Sequence, residues 1–129
     1  MAMPALLAEG LCVAAGGAIG SLGRWGLMAT GWFDSSRIWH TVTVNLIGAF
    51  LIGALWQICS STTVTRHIQP FLFTGILGGF TTFSTLALDT TRLLSAGDAL
   101  RAAIYLAISL AGGIAACIIG IWAAKTILT

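Results

Sequence analysis

The chain predicts an all-α integral membrane protein: four spanning helices, with the third broken in the middle. Three observations carry this. Of 129 residues, 57% are hydrophobic and only 8% charged, where a soluble domain carries roughly 25% charged residues. A chain this short cannot hide so much apolar surface in its own core. Its residues also fall into four mostly apolar stretches of the length, about 20 residues, that crosses a bilayer. Inside the third stretch stand two adjacent glycines and a run of hydroxyls, Gly78-Gly79-Phe80-Thr81-Thr82-Phe83-Ser84-Thr85. Glycine loosens a helix, and each hydroxyl needs a partner where water is gone. Irregular backbone at that depth is tolerated only where protein buries it or a wet cavity faces it.

The first span is expected over residues 5–28. No basic flank precedes it, so it reads as a true span rather than a cleaved leader. The second is expected over 39–59, the third over 68–94 and the fourth over 100–128, all within a single transmembrane domain covering 1–129. The joints are polar or turn-forming: Asp34-Ser35-Ser36-Arg37, the hydroxyl-rich stretch from Ser60 that ends at Pro70, and Ser95-Ala96-Gly97-Asp98. Trp25, Trp32, Trp39, Trp56 and Trp122 fall near expected span ends, where amphipathic rings settle at headgroup level.

An even number of spans puts both termini on one side. Arg66 and Lys125 mark that side. Arg37, Arg92 and Arg101 mark the other, with Arg24 near its end of the first span. Orientation follows a Lys/Arg imbalance, and here the counts nearly balance. The pattern permits either one orientation set by other factors or insertion both ways, as an antiparallel homodimer requires. Small residues four apart mark surfaces where helices approach closely: Gly16 and Gly20, Ala49 and Gly53, then Gly112, Ala116 and Gly120. Together they favour an oligomeric bundle.

Several function classes are excluded. A net charge of +2 is too small for a nucleic-acid footprint. Cys12, Cys59 and Cys117 lie far apart in apolar surroundings, with neither a disulfide framework nor a zinc spacing. No His, Cys or Ser has a base and an orienting partner at hand, so no enzyme chemistry is supported. His40 and His67 lie near expected interfaces and are read as solvated. The glycine pair lacks the Gly-Lys-Ser/Thr of a phosphate loop.

Few polar groups remain within the spans. Asn45 serves either an interhelical hydrogen bond or a ligand, since its amide offers two donors and an acceptor. Arg24 either snorkels to the interface or lends positive potential to an anion vestibule. Glu9 is either interfacial or a membrane carboxylate that exchanges protons. If helical, Thr82, Thr85 and Asp89 share one face. Tyr105, Ser109, Gly113 and Cys117 step by four along another stripe.

Three stretches resemble the Fluc (CrcB) family of fluoride channels: Gly20-Ser21-Leu22-Gly23-Arg24-Trp25, Thr41-Val42-Thr43-Val44-Asn45-Leu46-Ile47-Gly48, and Thr74-Gly75-Ile76-Leu77-Gly78-Gly79-Phe80-Thr81-Thr82-Phe83-Ser84-Thr85. The resemblance covers essentially the whole chain. It implies passive fluoride export through a dual-topology antiparallel homodimer with two anion pathways, in a bacterial inner membrane. It implies a structural Na⁺ at the dimer centre, held by the main-chain carbonyls of Gly78 and Thr81 from each subunit. Asn45 would line the fluoride pathway, Phe83 would turn its ring edge to the ion, and Arg24 would stand at the vestibule. Thr82, Ser84, Thr85 and Ser109 would offer hydroxyls. The chain departs from the family pattern at Leu86 (usually phenylalanine), Asp89 (usually glutamate) and Phe80 (commonly leucine). It departs again at Gly113 and Cys117, where hydroxyl residues are usual. Two other readings stand beside the channel: a small dual-topology, proton-coupled exporter using Glu9, and a non-transporting membrane subunit. Gly78→Val is expected to damage assembly, on the ground that the backbone there needs permissive dihedrals.

Overall fold

The computed structural model describes residues 2–31, 37–63 and 68–129. Trp32, Arg66 and His67, used above for interface and orientation, lie outside the described residues. Helix α1 spans Met3–Ala29 and α2 spans Arg37–Ser61. The third segment, Pro70–Ser95, is composite. A π-helical stretch, π1 (Pro70–Leu77), leads into one turn, α3 (Gly78–Phe80); Thr81 and Thr82 follow with extended backbone, and α4 (Phe83–Ser95) completes it. Helix α5 covers Ala99–Leu128. Among the described residues, four segments are thus long and apolar enough to cross a membrane.

Local chemistry accounts for the ends. Pro70 opens π1, where a missing amide costs nothing. Thr82 caps α4, its Oγ1 accepting the Thr85 N–H at 3.2 Å. Gly97, at φ 78°, makes the turn that only glycine takes easily. Asp98 then caps α5 by accepting from the Arg101 N–H at 3.1 Å.

Two packed pairs make the protomer. Helix α1 lies against π1 and α3, and α2 lies against α5, with α4 bridging to α5 and α2. Bare glycine backbone makes both crossings possible. A methyl on Gly16 would strike Phe71 O, and one on Gly20 would strike Ile76 O. Gly53 meets Cys117 O and Gly120 meets Phe50 O, a reciprocal contact between α2 and α5. Gly16, Gly20, Gly53 and Gly120 of the small-residue stripes therefore serve crossings within the chain.

The core is small: Ile38, Val42, Leu86 and Tyr105 form one buried cluster, flanked by Leu46, Leu93, Leu106 and Ile108. His40 is 8% exposed. It is buried, not solvated, because α2 begins at Arg37 and already places His40 one turn inside the bundle.

Candidate functional site

The middle of Pro70–Ser95 falls between Thr82 and Phe83, next to the two extended residues. Their hydrogen bonds show what the interruption does. In a continuous helix the Thr82 N–H would close on Gly78 O. Here it donates to Asn45 Oδ1 at 2.7 Å. Asn45 Nδ2 donates back to Thr82 O at 3.0 Å. The Thr85 N–H, which would close on Thr81 O, goes to Thr82 Oγ1. Gly78 and Thr81 thus lose the amides that normally occupy their carbonyls.

Asn45 also sets a direction. The Thr81–Thr82 peptide is trans and planar, so its N–H and C=O point opposite ways. Holding the N–H toward Asn45 turns Thr81 C=O away from that side chain. Thr81 itself is braced by its hydroxyl, which donates to Leu77 O at 2.9 Å. Gly48 lies directly beneath, where a methyl would collide with Thr81 Cγ2. Gly78 has φ −63° and ψ −35°, ordinary helical values. Permissive dihedrals are therefore not why glycine stands there, which corrects that expectation. Its bare carbon lies exposed, and a methyl added to it would meet only Phe73 O, at 3.6 Å.

Around this interruption opens a groove of about 360 Å³. It brings together Asn45, Gly78, Thr81, Thr82, Phe83 and Ser109, six of the residues singled out from the sequence. Leu86 lines it too. Phe83 is 76% exposed, so its ring is not packed within the protomer. The Ser109 hydroxyl is buried and has no hydrogen-bond partner among the described residues. Asn45 spends one N–H and its oxygen on Thr82 and keeps the second N–H.

Other expected residues stand elsewhere. Ser84 is exposed and Thr85 half-buried, and neither lines the groove. Thr82 caps α4 rather than standing on its face, and its hydroxyl donates to Thr85 Oγ1 at 3.0 Å. Arg24 is half-buried on α1, away from the groove lining.

One cluster was not assembled from the sequence. Asp89, 3% exposed, accepts from Thr41 Oγ1 at 3.2 Å and from Tyr105 OH at 3.3 Å. Tyr105 stands one turn from Ser109 on α5, so the cluster adjoins the groove residues. An aspartate in an apolar span is the signal that could have found it.

The donor set at the interruption consists of neutral backbone oxygens. No group of three or more His, Cys, Asp or Glu that could hold a metal occurs among the described residues. Released carbonyls are hard ligands that can replace a monovalent cation's hydration shell, so the residues present fit such an ion.

Four segments long and apolar enough to cross a membrane, with a groove near the middle of the third, define a multi-pass membrane protein. Residues 11–121 match the family model described as "CrcB-like protein, Camphor Resistance (CrcB)", and the chain belongs to that family. It is 40% identical over 118 residues to a protein of Parabacteroides distasonis named "Fluoride-specific ion channel FluC", covering 88% of this chain and 91% of that one. Like-named proteins of Chlorobaculum tepidum (42% identical; 89% and 93% covered) and Hyphomonas neptunium (38%; 91% and 95%) are similarly close.

Proposed function

We propose that the chain is a passive, fluoride-selective channel, acting as an antiparallel dual-topology homodimer about a central structural Na⁺. The observation that carries the reading is the interruption beside Asn45. It leaves exposed Gly78 and half-exposed Thr81 with freed carbonyls near the middle of a span. Such groups are not tolerated against lipid, and a second copy facing the first would cover them. The near balance of Lys and Arg on the two sides suits insertion both ways.

Gly78 and Thr81 carbonyls from the two protomers would hold the Na⁺. When bound, the ion offsets the carbonyl dipoles gathered at the dimer centre. The anion path would run along each groove. Fluoride is small and strongly hydrated, so the path must supply replacement donors. The remaining Asn45 N–H and the uncommitted Ser109 hydroxyl are those donors, and the positive edge of the Phe83 ring adds a third contact. The Asp89–Thr41–Tyr105 cluster stands beyond Ser109. Leu86, in place of a second ring, narrows the aromatic part of the path to Phe83. The family's name for its relatives supports the ion, and export down the gradient would relieve the cytoplasm of fluoride.

Purified protein in liposomes tests the reading. Fluoride efflux should exceed that from empty liposomes, exclude chloride, and fall when Na⁺ is replaced by a larger cation. Efflux equal to the empty control overturns it.

A further inference from the structure

A second cleft, of about 510 Å³, lies where the start of α1 meets the end of α2 and the beginning of π1. Glu9, Trp56, Gln69, Pro70, Phe73 and Thr74 line it. The fluoride path makes no use of it. Among the described residues of its lining, Glu9, half-buried, is the one ionisable group and none is basic. A carboxylate in such a place is costly without a cation to meet it. Trp56 is 55% exposed, and an indole face attracts a cation more strongly than any other side-chain ring. The Gln69 carbonyl and the Thr74 hydroxyl add neutral acceptors.

The depth also fits. At 1.5 Å per residue, the 27 residues of α1 run about 40 Å, against a hydrocarbon core of roughly 30 Å. A centred helix overhangs each face by about 5 Å. Glu9, six residues past Met3, then lies about 4 Å inside the hydrocarbon edge, just below the headgroups.

We propose that this cleft is an interfacial binding site for an ammonium group, supplied by a lipid headgroup or by a free organic amine. Glu9 pairs with the charge, Trp56 covers it, and Gln69 and Thr74 accept its hydrogen bonds.

Tryptophan fluorescence of the detergent-solubilised protein tests this. It is titrated with short-chain phosphatidylethanolamine, with phosphatidylglycerol of the same tails, and with ethylammonium chloride at constant ionic strength. Phosphatidylethanolamine should give a saturable change that Glu9→Gln weakens about two- to fivefold, as for loss of one partly hydrated ion contact. Trp56→Leu, followed by the remaining tryptophans or by calorimetry, should weaken it as well. Binding of phosphatidylethanolamine alone assigns the lipid; binding of ethylammonium too assigns a site open to free amines. Equal binding of phosphatidylglycerol, or affinity unchanged in both variants, overturns the proposal. Fluoride efflux from the same variants shows whether they fold. Retained efflux with lost amine binding places the defect in the cleft, and wild-type protein without efflux fails the channel reading alone.

Discussion

Thr82 gives both of its backbone hydrogen-bonding groups to one side chain, and Asn45 thereby stands in for a missing turn of helix. The two ends of that amide do different work, so different substitutions should separate them. Asn45→Asp keeps an oxygen for the Thr82 N–H but puts negative charge where the anion donor stood. Fluoride efflux should be lost while Na⁺-dependent dimerisation persists. Asn45→Ala removes both hydrogen bonds, each worth about 1 kcal/mol net. In the proposed dimer, the Na⁺ concentration for half-maximal assembly should then rise about thirtyfold, measured by gel filtration against a Na⁺ series. Asn45 was legible as a special residue because it is an amide in an apolar span. Its partner was not, because Thr82 is 37 positions away and only the fold brings them together. The same holds for Asp89: its place in a span marked it, but Thr41 and Tyr105 come from two other helices.

Among the elements, the crossing of α2 and α5 rests on reciprocal glycine contacts, Gly53 at Cys117 O and Gly120 at Phe50 O. Gly120→Val should force the helices apart and destabilise the protomer by about 1–3 kcal/mol or more, read as a lower thermal midpoint in detergent. Gly113 has no atom near its would-be methyl. Gly113→Ala should be neutral or stabilising by up to about 1 kcal/mol, the helix-propensity difference. Hydropathy and length were enough to read four spans, since lipid imposes one rule along each stretch. They could not tell which helix a small-residue stripe meets, because close approach looks alike within a chain and between chains. Nor does π1 differ in composition from an α-helix. Residues 71–76 pack on Gly16 and Gly20 of α1, a contact no periodicity announces.

For the whole molecule, Phe83 and Gly78 stand exposed at the groove, and the proposed second copy would cover them. Because Gly78 has helical dihedrals and open space beside it, Gly78→Val should leave helix content near wild type by circular dichroism. The same change should abolish the proposed dimer in detergent, since within the chain the added bulk meets only Phe73 O. Monomeric unfolding would instead place the defect inside the protomer.

Phe73 borders both the groove at the interruption and the cleft at Glu9. One ring is a party wall between two compartments, and it cannot lean into both. An occupant that pushes it one way changes the room on the other side, and thermodynamics makes that influence equal in both directions. If an ammonium headgroup fills the cleft as proposed, it would have a mechanical route to the middle of the bilayer, one side chain thick.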